Sequence, residues 1–226
     1  MQRLLVVLAL DRRCILLSTG TGFPLQPSIR RHAVPDTAVV ARTRKLPNGT
    51  EITLRDMDAN DATAMLAFAK SLPNEDVLFL RSDITTPEGI AYWVANLENG
   101  TTTSLVAVAA GTIVGYASLH RNPARWTRRV GEIRVNIAHG FRAQGLGRLL
   151  VNAIFDRARS LGLRKLSANM TVDQPGARAV FRRLGFQVEA ILADWVEDSD
   201  GNPRDLLIMA YDLDGLTDMV DDPARP

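Results

Sequence analysis

The chain has 226 residues, of which 46% are hydrophobic, so it can bury one sizeable core, and a single domain with terminal extensions is expected. Its formal net charge is only +2, which argues against a nucleic-acid-binding surface as its main feature. The lone cysteine, Cys14, excludes an internal disulfide and a cysteine-rich metal site, and it fits a cytoplasmic protein.

The N-terminal 50 residues are expected to be an extension and linker, poorly ordered in part. Residues 4–10 are apolar, but this run is too short to span a bilayer. It is consistent with a poor signal peptide, yet no small-residue cleavage site follows cleanly, so an extension or an upstream start codon is preferred. Residues 25–48 are rich in proline, arginine and polar residues and are predicted to be a linker. The folded domain is predicted over residues 51–213, followed by an acidic, frayed tail over residues 214–226.

The first predicted elements of the domain are a strand and two helices. Residues 51–55 alternate between polar and apolar side chains, which predicts a short strand. An alanine-rich helix follows over residues 58–71, with Asp58 or Asn60 available as its N-cap. The second helix covers residues 86–97, where apolar side chains recur at helical spacing and indicate a core-facing side.

Three strands in a meander are predicted next. Residues 104–109 and 112–120 are apolar or β-branched runs joined through Ala110-Gly111, which predicts a hairpin. Residues 130–138 continue the meander and end just before a glycine-rich loop. Apolar residues then recur at helical spacing from Leu146, so the loop should lead directly into a helix.

The glycine-rich loop, Arg142-Ala143-Gln144-Gly145-Leu146-Gly147, is the most informative segment of the sequence. The first amides of a helix lack intrahelical acceptors, and the helix dipole adds to their attraction for an anion. Its two glycines would let a pyrophosphate approach the main chain closely. The loop is not a P-loop, because Arg148 and Leu149 follow Gly147, and the dinucleotide fingerprint needs a glycine where Leu150 stands. Taken alone, a glycine-rich turn before a helix is equally consistent with ordinary chain geometry.

The remaining elements complete an α/β fold with a mixed, largely antiparallel central sheet flanked by helices. A strand, a short helix, an LGF segment and two further strands are predicted at residues 165–170, 174–183, 184–186, 187–196 and 205–211. Residues 198–202 lack the full spacing and the closing glutamate of an EF-hand, so they are interpreted as a hairpin turn. We expect no metal site, because His32, His120 and His139 show no metal-ligand spacing.

The loop has the form R/Q-x-x-G-x-G/A, and Leu184-Gly185-Phe186 follows it at a matching separation. In both features the chain resembles the GNAT superfamily of acetyl-CoA-dependent N-acetyltransferases, over about residues 51–213. The resemblance implies a GNAT-like acyl-CoA N-acyltransferase fold. It also implies an enzyme that transfers an acetyl group from acetyl-CoA directly to a primary amine of a small molecule or peptide. The alternative is an acyl-CoA-binding regulatory or interaction module that has kept the loop and lost catalysis.

The resemblance further implies which residues bind acetyl-CoA. In the family, the strands on either side of the loop and its helix splay apart, and the pantetheine arm enters the gap and pairs with the backbone. By position, Ile137 and His139 would offer main-chain groups to the acyl and pantetheine part, and residues 142–148 would bind the pyrophosphate. The implied set is Ile137, Ala138, His139, Arg142, Ala143, Gln144, Gly145, Leu146, Gly147, Arg148, Gln174 and Phe181.

The group that takes the amine proton is less well defined. Glu132 lies on the strand before the loop, where several members of the family place a carboxylate that takes the proton directly or through water. Because strands alternate, Glu132 and Arg134 share one face, and an ion pair is the slightly preferred interpretation. Tyr116 and Asp194 are further candidates with less support.

The group that protonates the leaving thiolate departs from the family. Many members carry an asparagine at the start of the short helix and a tyrosine near its end, where this chain has Gln174 and Phe181. Glutamine can still form a hydrogen bond, but phenylalanine has no proton to give. Tyr211 or water would then protonate the thiolate. A thiol with a pKa near ~8.5 is a tolerable leaving group without an acid.

The acceptor amine is expected near residues 72–86 and Tyr211, in regions that vary within the family. Their charged residues are consistent with attraction of a cationic amine and equally with a solvated loop. These residues are Glu75, Asp76, Arg81 and Asp83. No nucleic-acid or membrane partner is expected, and an exposed strand near residues 206–209 would suit the edge of a homodimer.

Overall fold

The computed structural model describes residues 41–77, 80 and 82–214. The strands are β1 (Arg42–Lys45), β2 (Glu51–Asp56), β3 (Thr102–Ala109), β4 (Thr112–Arg121), β5 (Val130–Ile137), β6 (Lys165–Thr171), β7 (Gln187–Glu197) and β8 (Pro203–Asp212). The helices are α1 (Ala62–Lys70), α2 (Asn74–Val77), α3 (Pro87–Glu98), α4 (Leu146–Ser160) and α5 (Pro175–Arg183). The strands form one sheet in the order β1-β2-β3-β4-β5-β6-β8-β7. The expected mixed, largely antiparallel α/β fold is confirmed.

The sheet begins before the predicted domain start at residue 51. β1 pairs antiparallel with β2, and the turn between them is closed by the amide of Leu46, which donates to the carbonyl of Thr50 at 2.9 Å. Leu46 is buried in the core. The prediction of a linker is therefore wrong for residues 42–48. All the side chains of β1 are exposed, so this strand has no apolar alternation by which the sequence could reveal it.

Strands β3 to β5 form the predicted antiparallel meander, and β2 pairs antiparallel with β3. The hairpin between β3 and β4 turns at Ala110 and Gly111, whose φ angles are 46° and 79°. Both residues thus lie in the left-handed region that two-residue hairpin loops adopt. The predicted hairpin turn at residues 198–202 is also present, where the amide of Gly201 donates to the carbonyl of Asp198 at 3.0 Å.

The sheet opens between β5 and β6. These two strands are parallel, and their pairing ends where Glu132 lies opposite Ser167. Beyond that point β5 remains paired with β4 as far as Ile137, and β6 remains paired with β8 as far as Thr171. The two strands therefore diverge and leave a gap at the end of β5 from which the glycine-rich loop departs.

β8 lies inside the sheet, although it is the last strand in the sequence. It pairs with β6 on one side and with β7 on the other, and its Leu207 and Met209 are buried. The expectation that residues 206–209 form an exposed dimer edge is therefore wrong. In the described part of the chain, the edges of the sheet are β1 and β7.

Helices cover both faces of the sheet. Because side chains of a strand alternate between faces, Leu105 packs in a cluster with α4 side chains such as Leu150, whereas its neighbour Val106 packs with α1 and α3 side chains such as Met65 and Trp93. α1 begins at Ala62 with Asp61 as its N-cap, later than the predicted start at residue 58, whereas α3 begins directly after Thr86. Asp58 accepts a hydrogen bond from Asn60 at 2.7 Å in the turn before α1, and Thr86 accepts one from Gly89 at 3.1 Å at the start of α3.

The expectations for residues 1–40 and 215–226 lie outside the described residues and stay predictions. Cys14 and His32 belong to that part of the chain. Across the described ranges, no helix combines the length and the apolar character that crossing a membrane would require.

Candidate active site

The glycine-rich loop joins β5 to α4 through two left-handed residues. The short turn His139–Phe141 comes first, followed by Ala143 with φ 59° and Gly145 with φ 83°. A left-handed backbone favours glycine because it has no Cβ. The loop thereby reverses direction within a few residues and brings its main chain to the N-terminus of α4.

The N-terminus of α4 presents free amides to solvent. The first intrahelical hydrogen bond runs from the amide of Leu149 to the carbonyl of Gly145, at 3.2 Å. The amides of Leu146, Gly147 and Arg148 therefore precede the intrahelical ladder, and the helix dipole makes this end positive. A Cβ at Gly145 would meet no heavy atom within 4 Å, so the space beside this main chain is open. This arrangement can hold an anionic group such as a pyrophosphate.

Two side chains of the loop are used to hold its shape. Arg142 donates from Nε to the carbonyl of Ile137 at 3.1 Å and forms an ion pair with Asp76. Gln144 donates to the carbonyl of Gly140 at 2.7 Å and accepts a hydrogen bond from Asn48 at 2.6 Å. Both residues were expected to bind the pyrophosphate, and in this structure their side chains instead brace the loop against β5, α2 and the β1–β2 turn.

The end of β5 directs main-chain groups into the gap. The amide of Ala138 donates to the carbonyl of Val114 at 2.9 Å, so this N–H is already used between strands and is not available to a ligand. Because hydrogen-bonding direction alternates along an antiparallel strand, Val135 and Ile137 direct their N–H and C=O groups away from β4, toward β6. The carbonyl of His139 accepts from the amide of Arg142 at 3.2 Å.

The start of α5 closes the other side of the gap. Gln174 accepts a hydrogen bond from the amide of Thr171 at 3.1 Å and donates to the carbonyl of Glu75, in α2, at 3.2 Å. Phe181 packs edge-on against Phe186 with ring centroids 5.1 Å apart. The helix α2 is thus fastened both to the loop, through Asp76, and to α5, through Glu75.

Glu132 and Arg134 form the ion pair that the sequence favoured. Their side chains are 17% and 15% exposed, so the pair is largely shielded from water. Arg134 also donates to the carbonyl of Asn169 in β6 at 2.9 Å. Its guanidinium therefore crosses the gap where β5 and β6 have separated.

A cavity of about 280 Å³ lies on the α3 side of the sheet, against β4 and β5. Its lining includes Arg134 and also His120, for which the sequence showed no metal-ligand spacing and indicated no other role. The ring of His120 forms hydrogen bonds with Thr102 at 3.0 Å and Ser118 at 2.9 Å. In the register of β4 and β5, His120 lies opposite Glu132. Side chains alternate along β4, which puts residues 116, 118 and 120 on one face of the sheet. This alternation is the sequence signal that could have identified His120 as a residue of the site.

Tyr116 also lines the cavity but is poorly suited to take a proton. It is 1% exposed, packs edge-on against Trp93 with centroids 4.8 Å apart, and accepts a hydrogen bond from Asn136 at 2.9 Å. Burial raises the pKa of Tyr116 to about 12, so the phenol stays protonated at neutral pH. It is a polar wall of the cavity and a hydrogen-bonding group.

Arg121 lines the same cavity near its other end. Arg125, Arg128 and Arg129 follow it in the sequence, but Trp126, which lies among them, is 90% exposed and does not line the cavity. Arg121 donates to the carbonyl of Gly100. Its burial lowers the pKa of the guanidinium, which remains charged at neutral pH.

The other two catalytic candidates lie away from this cavity. Tyr211 packs against Phe155 and Phe186, with ring centroids 4.9 and 5.6 Å apart, and pairs with Leu166 in the closed part of the sheet. Asp194 is exposed on the outermost strand, β7, with φ 51°. Tyr211 lies on the strand next to β6, but its ring packs among aromatic side chains and does not line the cavity.

Residues 72–86, which were expected to bind the acceptor, contribute side chains both to the cavity and to the surroundings of the glycine-rich loop. Leu80, Ser82 and Ile84 line the cavity, whereas Asp76 faces the glycine-rich loop. Asp83 accepts hydrogen bonds from the hydroxyl and amide of Thr85, which lower the pKa of its carboxyl. Arg81 lies outside the described residues. Among the residues that the structure describes, no group of three or more histidine, cysteine and carboxylate side chains is placed to hold a metal ion.

Comparison with known proteins gives the family and related enzymes. A model described as the Acetyltransferase (GNAT) family matches residues 68–186. The L-methionine sulfoximine/L-methionine sulfone acetyltransferase of Pseudomonas paraeruginosa is 27% identical over 163 residues, which cover 71% of this chain and 94% of that protein. The homologous enzyme of Pseudomonas aeruginosa is 26% identical over the same coverage.

Solved structures share the fold. The ribosomal-protein-alanine N-acetyltransferase of Brucella melitensis superposes with a TM-score of 0.62 at 26% identity, covering 70% of this chain and 98% of that one. The yncA protein of Salmonella typhimurium, solved with its cofactor acetyl-CoA, superposes with a TM-score of 0.60 at 23% identity, covering 74% and 96%. Because the family model spans more than half of the chain, this protein belongs to the GNAT acetyltransferase family.

Proposed function

We propose that this N-acetyltransferase moves the acetyl group of acetyl-CoA directly to the primary amine of a small, amino-acid-like acceptor. The observation that carries the proposal is the continuity between the two halves of the site. Arg134 lines the cavity and also reaches across the gap to Asn169. A thioester held in the gap would therefore lie beside an amine held in the cavity.

The donor half would use main-chain groups. The amides at the start of α4 would bind the pyrophosphate, and the N–H and C=O groups of Val135 and the N–H of Ile137 would pair with the pantetheine arm. Arg148, which is exposed at the start of α4, would add positive charge at the rim. Gln174 would act by holding α2 against α5, and Phe181 by packing on Phe186.

Direct transfer needs little beyond positioning and proton removal. Two well-oriented reactants gain roughly 7–11 kcal/mol from proximity, and one donor aimed at the developing oxyanion adds about 3–4 kcal/mol. Glu132 or His120, which face each other across β4 and β5, would accept the amine proton directly or through water. The leaving thiolate would take its proton from water, because Phe181 cannot supply one and the ring of Tyr211 is packed against Phe155 and Phe186.

A small acceptor is supported by the size of the cavity and by the relatives. The cavity of about 280 Å³ is bordered by α3, β4 and the segment that contains Leu80 and Ile84. The Pseudomonas relatives act, by their names, on L-methionine sulfoximine and L-methionine sulfone, which are single amino acids.

The test measures binding of the acetyl donor and reaction with the acceptor amine in separate experiments. Acetyl-CoA and then CoA are titrated into the purified protein by calorimetry, and thiol release is followed with L-methionine sulfoximine, L-methionine sulfone and other free amino acids. Micromolar binding of acetyl-CoA with amine-dependent thiol release is expected. Absence of binding to either nucleotide would contradict the assignment of the loop, and binding without release for any amine would contradict the transfer reaction.

A further inference from the structure

The charges that line the cavity are unbalanced. Its described lining includes two arginines, Arg121 and Arg134, and no aspartate or glutamate. Arg134 has its counter-ion beside it, in Glu132. Arg121 is therefore the arginine of the lining whose positive charge has no counter-ion in the described cavity wall.

Arg121 has no carboxylate within 4.0 Å among the residues that the structure describes. One nitrogen donates to the carbonyl of Gly100, while Nε is buried with no hydrogen-bond partner. Burial lowers the pKa of this arginine, which reflects the loss of water around its charge. Removing a charged group from water without a counter-ion is costly, so a partly buried guanidinium that lines a cavity and has no carboxylate partner points to an anionic ligand.

We propose that the cavity binds an amine acceptor that carries a carboxylate, and that Arg121 binds this carboxylate. The inference rests on the proposed function and deepens it by naming the acceptor class and its recognition residue. A guanidinium presents donors in a planar fork that matches a carboxylate in a bidentate arrangement. Arg121 accordingly selects the acceptor and takes no part in the chemistry.

The position of Arg121 sets the direction in which the acceptor lies. Arg121 pairs with Gly131 in the register of β4 and β5, whereas Ser118 pairs with Arg134, at the open part of the sheet. Three residues of strand separate these positions by about 10 Å. The carboxylate thus lies at the end of the cavity beside the paired part of β5 and β6, with the amine directed toward the gap and His120 between them along β4.

The experiment compares matched acceptors in the thiol-release assay. Each free amino acid, including L-methionine sulfone, is paired with its carboxamide, and β-alanine, γ-aminobutyrate and ε-aminocaproate measure the distance between amine and carboxylate. We expect at least one free acid to exceed its amide by about tenfold or more in kcat/KM, since a hydrogen bond to a charged group contributes about 1.5–3 kcal/mol.

Variants of Arg121 test whether this side chain causes the preference for the free acid over its amide. Arg121→Met is expected to raise KM for the preferred acid by about 10- to 100-fold and to remove its advantage over the amide, with kcat little changed. Arg121→Lys should recover part of the preference because it keeps the charge. Arg125→Met, at an exposed arginine outside the cavity lining, should behave as wild type. An unchanged Kd for acetyl-CoA shows that each variant is folded.

The results distinguish this inference from the proposed function. A wild-type protein that fails to bind acetyl-CoA would contradict the proposed function itself. Normal binding of acetyl-CoA, combined with amides that react as well as acids, would overturn the role of Arg121 alone. So would an Arg121→Met variant that keeps the full preference for the acid. If no free amino acid reacts at all, the amino-acid-like acceptor of the proposed function is wrong together with the role of Arg121.

Discussion

Replacing Gly145 with leucine is expected to abolish acetyl-CoA binding while the domain stays folded. The left-handed φ of 83° at this position costs an L-residue about 1–2 kcal/mol, and no heavy atom lies within 4 Å of a Cβ built there. The folded state therefore needs no rearrangement of neighbours. For a domain of this size, such a loss of unfolding free energy lowers Tm by roughly 2–8 °C.

The effect on the ligand is larger, because the new side chain would occupy the open space at the start of α4. A hydrogen bond to a charged group contributes about 1.5–3 kcal/mol. Loss of two such bonds between the α4 amides and the pyrophosphate would cost about 3–6 kcal/mol, which raises Kd by roughly 10²- to 10⁴-fold. Calorimetric titration with acetyl-CoA measures this change directly.

Gly201 provides a matched control for the backbone strain. It has φ 78°, and a Cβ there also meets nothing within 4 Å, but it lies in the turn between β7 and β8. Gly201→Leu should lower Tm by a similar amount and leave the Kd for acetyl-CoA unchanged. If folded Gly145→Leu bound acetyl-CoA with wild-type affinity, the main chain before α4 would not be the phosphate site.

Three further substitutions test separate parts of the structure. Glu132→Gln should lower kcat by about 10²-fold or more and alter the acidic limb of the pH–rate profile, and an unchanged profile would leave Glu132 as a structural partner of Arg134. Phe181→Tyr should raise kcat, measured by thiol release at saturating substrates, if protonation of the thiolate limits turnover, and an equal kcat would show that water suffices. Asp61 accepts two hydrogen bonds of 2.6 Å from Arg55, and these lower the pKa of Asp61, so its contribution to stability is present above about pH 4 and lost as pH falls through the lowered value. In urea unfolding, Asp61→Asn should reduce the free energy of unfolding by about 1.5–3 kcal/mol at neutral pH and by less in acid, whereas an equal deficit at both pH values would contradict the linkage.

Local patterns in the sequence were sufficient for most helices and strands. Thr86 and Pro87 mark the start of α3, Ala110-Gly111 marks the β3–β4 hairpin, and the apolar spacing from Leu146 marks α4. Each of these signals acts within a few residues of the chain, through a cap, a turn or a helical repeat. The β1 strand was not predicted because all four of its residues are polar or charged, so polar and apolar side chains do not alternate along it. The following Asn48-Gly49 is nevertheless a strong hairpin signal.

Long-range arrangement could not be predicted in the same way. The order β6-β8-β7 depends on which strands share apolar faces, and nothing near Leu207 indicates that a later strand is inserted between two earlier ones. The sequence located the glycine-rich loop, but it could not show that Arg142 is held by Asp76. Nor could it place Arg121 and His120 in one cavity wall, because that wall is completed by α3 and by the segment around Ile84.

The donor half and the acceptor half of the site share strand β5, but they use different parts of it. The donor half uses the main chain and the acceptor half uses side chains. Along β5, Ile133 and its alternating neighbours pack toward α4, whereas Glu132 and Arg134 face the opposite side, and the main chain beyond them borders the gap. Donor binding through backbone groups, as proposed, would survive most side-chain substitutions that keep the strand. Acceptor binding through Arg121 and its neighbours would not. Substitutions in the cavity wall can therefore change the acceptor while donor binding is retained, which is why the Arg121 variants and the Gly145 variant should fail in separate assays.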